Sequence, residues 1–214
     1  MRRRTVTPFL FAAGLAAVGA APAAAQSRAL DPAPDPMVAE LEKDFLRGMI
    51  PHHRGATMMA EMALKKSPQA ELRTLAQKII AGQMEEIQKM SAFLRDWYGM
   101  EPPADMAMPM NMPKDMMMPM NKPMDMPMMH AMMPDMDARM MALEAKSGGD
   151  FDIEFMSAMT DHHAMALMMA APVLIHGHHA DLYTLAENIV ISQGQEIKQM
   201  DQWLDAWYGV KRAV

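Results

Sequence analysis

Apolar residues recur at intervals of three and four in two consecutive stretches of the chain. Phe45, Met49, Ala56 and Met59 lie on one stripe of the first stretch, and residues 72–94 continue the same spacing in the second. This period is that of an amphipathic helix that buries one face. No stretch alternates apolar and polar residues as a strand does, so the pattern predicts an all-α chain.

Turn-forming residues set the limits of the second helix. Ser67 and Pro68 separate the two stripes, and they predict an N-cap followed by a first-turn proline. We therefore expect the second helix to run from about Gln69 to Trp97. Gly99 follows at the position where a left-handed residue commonly ends a helix.

The whole pattern occurs twice. A shift of 110 residues places the second half of the chain on the first without a gap, and the second copy turns at Gly177 and ends at Gly209. Neither hairpin, 37–99 or 138–210, can bury its apolar stripe alone. We therefore expect one domain, a four-helix bundle with a pseudo-twofold axis. Matching pairs include Phe45 and Phe155, Met49 and Met159, Gln83 and Gln193, Met90 and Met200, and Trp97 and Trp207.

A segment of low complexity, residues 100–137, joins the two hairpins and repeats Met, Pro and Asp. Between Met100 and Met141 the chain holds 18 of its 32 methionines. The prolines oppose a helix, and the absence of periodicity gives the segment no core-facing side. The sequence therefore predicts a disordered, flexible connector.

The connector has the chemistry of a soft-metal ligand. Methionine thioethers suit Cu(I), and Ag(I) by the same softness, while an imidazole also accepts Cu(II). The alternative is a methionine-biased linker without metal, although exposed methionine is oxidisable and unusual in plain linkers. The candidate ligands here are Met124, Met126, Met128 and His130.

Composition narrows the classes of protein. The chain of 214 residues has no cysteine, which excludes disulfides and thiolate sites, and its net charge of −6 argues against binding to nucleic acid. Residues 1–25 resemble a signal peptide, with Arg2–Arg4, a short apolar run and an Ala23–Ala25 cleavage site. We expect export to the periplasm or the medium, by either the general or the twin-arginine route. After cleavage we expect no membrane span.

Each hairpin carries two adjacent histidines on its first helix, His52–His53 and His162–His163. Neighbouring residues point about 100° apart on a helix, so we expect one histidine of each pair to face the bundle and the other the rim. Glutamine and glutamate three residues apart on each second helix face inward, where they need partners.

Two interpretations of these positions remain open. The polar side chains either satisfy one another and fix the helix register, or they form a metal site together with methionine. The candidate ligands are Met49, His52, His53, Met59, Gln83, Glu86 and Met90 in the first repeat, and Met159, His162, His163, Met169, Gln193, Glu196 and Met200 in the second.

A third group of histidines, His176, His178 and His179, lies at the turn of the second hairpin and has no counterpart in the first. Three imidazoles on one turn suit Cu(II), Ni(II) or Zn(II), and the alternative is a merely polar turn. The Trp-Tyr-Gly endings at Gly99 and Gly209 are typical of packing anchors and helix caps.

The motif from Phe45 through Met49-Ile-Pro-His-His to Ala60, followed by Gln83, Glu86 and Met90, resembles the domain-of-unknown-function 305 family. The second repeat resembles it too, with Thr160-Asp161 in place of Ile-Pro, so two tandem copies of the motif are expected. The resemblance implies a ferritin-like four-helix bundle. It also implies the copper binding known of some exported members, through the histidines, methionines, Gln and Glu of both repeats.

The favoured function is therefore an exported protein that sequesters or chaperones Cu(I) or Cu(II), with copper efflux or delivery proteins as possible partners. One alternative is a structural or partner-docking bundle with no physiological metal, whose methionines form an adaptable surface. A di-iron oxidase is disfavoured because the Glu-x-x-His pattern of that chemistry is missing, so we predict no enzyme. Metal stoichiometry and oligomeric state do not follow from the sequence.

Overall fold

The computed structural model describes residues 30–103 and 133–212, which form five α-helices. Helix α1 spans Pro36–Lys66, α2 Ala70–Tyr98, α3 Met133–Ala145, α4 Gly148–His176 and α5 Ala180–Tyr208. No strand occurs in these two ranges, and the all-α prediction is confirmed. Within the same residues no helix has the length and apolar character that a bilayer span requires.

Local chemistry explains most of the helix limits. The Asp35 carboxylate accepts a hydrogen bond from the N–H of Met37 at 2.8 Å and begins α1. Gly99 and Gly209 end α2 and α5 in the left-handed region, with φ of 62° and 67°, as the sequence predicts. Gly177 ends α4 for another reason, because a Cβ there would lie 2.6 Å from the Val173 carbonyl oxygen.

The predicted N-cap of α2 is wrong by two residues. Gln69 occupies that position, while Ser67 is the C-cap of α1 and its hydroxyl accepts the N–H of Gln69 at 3.1 Å. Ser67 and Pro68 therefore form the turn between the helices. A Ser-Pro pair is typical of a helix start and also of a tight turn, and in this structure it forms a turn.

Helix α3 begins at Met133, inside the range 100–137 that the sequence predicts to be free of helix. Pro134 is the last proline of this segment. It lies in the first turn of α3, where proline is tolerated. Leu143 of α3 is fully buried against the bundle and fixes the helix there. The prediction for residues 104–132 lies outside the described residues.

Helices α1 and α2 form one antiparallel hairpin, α4 and α5 form the other, and α1 packs against α4. The buried side chains divide into two apolar clusters, one toward each end of the bundle. The Phe151 cluster contains Ala56, Met59, Leu72, Ile79, Phe151, Phe155, Met159 and Met200. The Phe45 cluster contains Phe45, Met49, Ile87, Met90, Ala166, Val173, Leu185 and Ile189. The four long helices, α1, α2, α4 and α5, each contribute to both clusters. Each of them therefore runs from the apolar cluster at one end of the bundle to the cluster at the other end.

A fully buried carboxylate holds one end of the bundle together. Glu42 accepts hydrogen bonds from the Tyr98 hydroxyl at 2.5 Å and from the N–H groups of His178 and His179 at 2.6 and 3.0 Å. Burial alone would raise the pKa of Glu42, but these hydrogen bonds outweigh it and hold the pKa below its usual value. A charged Glu42 therefore ties α1 to α2 and to the α4–α5 turn.

The opposite end repeats this arrangement with fewer bonds. Asp152, the repeat equivalent of Glu42, accepts a hydrogen bond from the Tyr208 hydroxyl at 2.7 Å. Gln69 stands where the other end has His179, and it reaches only Tyr208, at 3.5 Å. The second carboxylate oxygen of Asp152 is buried without a partner. The two ends are therefore equivalent in position and unequal in strength.

Candidate metal centre

A polar layer crosses the middle of the bundle, between the two apolar clusters. It is made where the four long helices pass from one cluster to the other, and every helix supplies side chains at the same level. Its members are His52 and His53 of α1, Gln83 and Glu86 of α2, His162 and His163 of α4, and Gln193 and Glu196 of α5. The sequence predicts these eight residues as candidate ligands, and the fold brings them to one level.

One histidine of each pair is bound to the glutamate of its own hairpin. His53 Nε2 lies 2.7 Å from the Glu86 carboxylate, and His163 Nε2 lies 2.8 Å from that of Glu196. When Nε2 of a neutral imidazole donates to the carboxylate, Nδ1 is left as the unprotonated nitrogen. In both histidines Nδ1 is buried and has no hydrogen-bond partner among the described residues, so its lone pair is held in a fixed direction.

The other histidine of each pair meets its equivalent across the pseudo-twofold axis. The rings of His52 and His162 lie 3.7 Å apart between centroids, with their planes 32° apart. The four ring nitrogens of these two residues are buried without a hydrogen-bond partner. The prediction that one histidine of each pair faces the rim is wrong for the second pair, where both side chains are buried. In the first pair His52 is partly exposed, but the close approach of α1 and α4 still buries both of its ring nitrogens.

Burial keeps this central pair neutral. Removal from water, together with the nearby His53 and His163, lowers the pKa of His52 to about 3. The same causes, removal from water first and the charge of His52 second, lower the pKa of His162 well below its usual value. At neutral pH both imidazoles have free lone pairs, which is the form that binds metal.

The side chains of the two glutamines of the layer have no hydrogen-bond partner among the described residues. Gln83 and Gln193 are 4% and 2% exposed, and neither the amide nitrogen nor the oxygen of either makes a hydrogen bond. A buried amide without a partner costs about 1–3 kcal/mol, and such groups are rare in folded proteins. The layer thus combines six unpartnered ring nitrogens with two unpartnered amides.

The candidate methionines are divided between the two sides of the layer. Met49 and Met90 are buried in the Phe45 cluster, and Met169 packs against the same cluster partly buried. Met59, Met159 and Met200 are buried in the Phe151 cluster. Thioethers therefore lie above and below the imidazoles along the bundle, and each is also an ordinary part of the apolar core.

The turn histidines do not form a third site. His179 Nδ1 lies 2.6 Å from the Glu42 carboxylate and its Nε2 lies 2.8 Å from the Asp31 carbonyl, so both nitrogens have acceptors. Its ring also stacks on Trp97 at 3.8 Å between centroids. His176 and His178 are exposed at the surface. The rings of His178 and His179 are in contact at 5.1 Å between centroids, but both nitrogens of His179 are used at the bundle end, so the three imidazoles predicted to act together are not equally available.

As the side chains stand, no three His, Asp or Glu residues converge into a metal-binding group within residues 30–103 and 133–212. A metal in the layer would therefore recruit thioethers or amides, or rotate the unpartnered imidazoles. Met124, Met126, Met128 and His130 of the connector lie outside the described residues.

The sequence did not predict the role of two further sets of residues. The first is the buried pair of acids at the ends of the bundle, which the repeat signals because Glu42 and Asp152 lie 110 residues apart. The second is Asp161, which replaces the Pro51 of the first repeat. It binds Arg139 of α3 at 3.2 Å and also Arg212 beyond α5, so this departure from the motif fastens two further segments to α4 beside the histidines.

Known structures share this arrangement of helices. CopM in its Cu(I)-bound form is 33% identical, with a TM-score of 0.60 over 78% of this chain and 98% of that one. CopM in its Cu(II)-bound form is 36% identical, with a TM-score of 0.59 over 78% and 97% of the two chains. A DUF305 protein of Streptomyces coelicolor, described as secreted, is 25% identical, with a TM-score of 0.62 over 81% and 97%.

Comparison with curated proteins gives no match. The sequence model of the domain of unknown function DUF305 matches residues 42–204 as a single range that includes both hairpins and the polar layer. That range is well over half of the chain, and the DUF305 structure from Streptomyces coelicolor has the same helical fold. This protein therefore belongs to the DUF305 family, as the resemblance of its paired-histidine motif predicts.

Proposed function

We propose that this protein is exported and binds copper in the polar layer of its bundle, for sequestration or delivery of the ion. The observation that carries the proposal is the set of six buried ring nitrogens without partners, placed between thioethers on both sides. Imidazole suits both oxidation states of copper, and thioether favours Cu(I). We expect Cu(I) as the main cargo, Cu(II) as a second, and Ag(I) as a surrogate.

The family and its structures support this proposal. CopM, whose structure matches 78% of this chain, has been determined with Cu(I), with Cu(II) and with silver bound. The Streptomyces relative is described as secreted, which agrees with the signal peptide expected at residues 1–25. We place the protein in the periplasm or outside the cell, and expect efflux or delivery proteins to receive its copper. We propose no enzymatic role.

The energetic argument also favours a ligand over an inert polar layer. His53 and His163 are satisfied at Nε2 by glutamate, and a purely structural layer needs no more than these two pairs. His52 and His162 instead bury four nitrogens that bond to nothing. A structural layer would be more stable with two phenylalanines there, because the stack would survive and the burial cost would vanish.

One observation favours the alternative, a structural bundle without physiological metal. No three His, Asp or Glu side chains converge in the described residues, and the methionines beside the layer already pack in the core. The double variant His52→Phe with His162→Phe separates the two functions, since it keeps two stacked rings and removes four of the six free nitrogens.

The test is an anaerobic Cu(I) titration of the full-length mature protein against a competing chromophoric chelator. We expect the double phenylalanine variant to lose at least one equivalent of tight Cu(I) while its free energy of unfolding stays equal or rises. The matched control, His176→Gln with His178→Gln, removes two exposed histidines and should leave that equivalent in place. Unchanged stoichiometry and affinity in the phenylalanine variant would show that the histidine layer is structural.

The contribution of the connector is measured separately. Residues 104–132 are replaced by a Gly/Ser linker of equal length, which keeps the contact of Arg54 with the Pro103 carbonyl and leaves α3 intact. Equivalents that disappear in this variant belong to the methionine-rich segment, where Met124, Met126, Met128 and His130 lie. Equivalents that remain, and that the phenylalanine variant loses, belong to the bundle.

A further inference from the structure

A cleft of about 160 Å³ opens on the bundle surface between α2 and α5, at the level of the polar layer. Gly82 and Ser192 lie at its exposed mouth, and the lining also includes Gln83, Gln193 and the pair of glutamates, Glu86 and Glu196. The two glutamate side chains are 15% and 19% exposed, so each reaches solvent at the cleft and a histidine on its inner side.

The internal repeat is the cause of this opening. Gly82 and Ser192 are equivalent positions, 110 residues apart, and both are small, so the two walls recede at the same level. A Cβ built on Gly82 meets no atom within 4 Å. Toward either end of the bundle, larger apolar side chains of α2 and α5 meet in the two clusters and close the gap.

On the side of α1 and α4, packing in the part of the chain that the structure describes covers all ring nitrogens of the layer, although the His52 side chain is still partly exposed there. Helices α1 and α4 contact each other directly, with the His52–His162 stack between them. Helix α3 lies against both of those helices, and Arg54 holds the Pro103 carbonyl at 2.9 Å on α1. Both described ends of the connector are therefore attached on the side of α1 and α4, away from the cleft.

We infer that the cleft between α2 and α5 is the route by which a metal cation reaches the buried histidines, and that Glu86 and Glu196 pass it inward. This inference rests on the proposed function, because it assigns the access route of the same site. The two buried glutamines, more than nine-tenths buried and without partners, supply amide oxygens along the way. Carboxylate and amide oxygens replace the water of a hydrated cation before the imidazoles do.

The test is a rate measurement on full-length mature protein with Cu(II) as the probe. A bound imidazole nitrogen adds superhyperfine splitting to the EPR spectrum of Cu(II), and a thioether sulfur does not. Rapid-freeze-quench EPR follows the nitrogen-bound signal after mixing. Gly82→Phe places a ring in the mouth of the cleft and alters none of the proposed ligands. Gly194→Phe is the matched control, since that helical glycine also has open space around it but does not line the cleft.

We expect Gly82→Phe to slow the appearance of the signal at least tenfold while its final amplitude is unchanged, and Gly194→Phe to match the wild type. Ser192→Phe fills the cleft from the opposite wall and should slow binding equally, which guards against a folding defect in one variant. Wild-type rates in both cleft variants, with helical circular dichroism intact, would overturn the inference.

The same experiment distinguishes the failure of the route from the failure of the site. The His52→Phe with His162→Phe variant gives the nitrogen-bound signal of the remaining histidines. This signal is subtracted from that of the wild-type protein. If that variant gives the full wild-type signal, no copper binds to His52 or His162, and the proposed site at this central pair fails together with its access route. If the signal is reduced but the cleft variants bind at wild-type rate, only the route is wrong.

Discussion

Removal of the Glu42 carboxylate should destabilise the bundle far more than removal of its repeat equivalent, Asp152. Both acids are fully buried, and both receive a tyrosine hydroxyl. Glu42 also accepts two backbone N–H groups and lies 2.6 Å from the His179 ring. Four hydrogen bonds therefore depend on Glu42, and one depends on Asp152.

The magnitude follows from what each substitution leaves buried. Glu42→Ala removes the hydrogen-bond acceptor of the Tyr98 hydroxyl, the His179 ring and two N–H groups. The loss of one partner from a buried charged network lowers the free energy of unfolding by about 3–5 kcal/mol. Asp152→Ala leaves the Tyr208 hydroxyl without this acceptor, but it also removes a buried carboxylate oxygen that has no partner. We therefore expect the free energy of unfolding to fall by about 1–2 kcal/mol. The difference should be about 2–3 kcal/mol.

Urea denaturation at pH 7, followed by far-ultraviolet circular dichroism, measures both values. With a slope of about 2 kcal/mol per molar urea, Glu42→Ala should lower the midpoint by about 2 M and Asp152→Ala by less than 1 M. Glu42→Gln preserves shape and one acceptor oxygen, so its loss should fall between the two. Equal losses for Glu42→Ala and Asp152→Ala would refute the assignment of unequal strength to the two ends.

Three further predictions concern other parts of the fold. The unfolded chain protonates His52 near pH 6.5, whereas the folded pKa is about 3, so stability is complete above pH 6.5 and should fall as pH decreases toward 3. Urea midpoints at pH 7, 6 and 5 should show this fall, and His52→Phe with His162→Phe should reduce it. Gly209→Ala should lower the free energy of unfolding by about 1 kcal/mol in thermal melts, because φ is 67° and no atom crowds the new Cβ. Asp161→Ala should speed amide hydrogen exchange in α3 while α4 stays protected, since it removes the contact with Arg139. Unchanged exchange would show that the other contacts of α3, the burial of Leu143 and the bonds from Lys66, are enough to hold it.

Much of the fold could be predicted because the repeat and the helical period are local properties of the chain. The apolar stripe, the glycine stops at 99 and 209, and the 110-residue offset together predict two equivalent hairpins. In the structure α1 packs on α2 and α4 on α5, and Gly99 and Gly209 end the second helix of each pair. The errors occurred where one residue type serves two purposes. A Ser-Pro pair such as Ser67 and Pro68 is typical of turns as well as helix starts. The composition of the connector gave no indication of α3, because that helix is stabilised mainly by packing on the bundle.

The candidate site was predicted less completely, because burial depends on partners distant in the chain. Adjacent histidines must diverge on one helix, and the prediction that one faces outward follows from a single helix alone. The structure corrects it because α1 and α4 approach so closely that His52 meets His162. Likewise, nothing local distinguishes His179 from the neighbouring His178. The ring of His179 is nevertheless stacked on Trp97 and bound to Glu42, whereas His178 reaches Glu42 through its backbone N–H.

The sequence alone determines which residues recur and at what spacing, and therefore the helices, their pairing and the eight polar side chains at one level. Spacing along the chain is enough for this, because a helix converts sequence separation directly into position on a face. Only the tertiary structure decides which nitrogens remain without partners, that α2 and α5 leave a cleft, and that one end of the bundle is bound more tightly than the other. These depend on distances between helices far apart in sequence, and a few ångströms decide whether a polar group is satisfied, free or open to solvent.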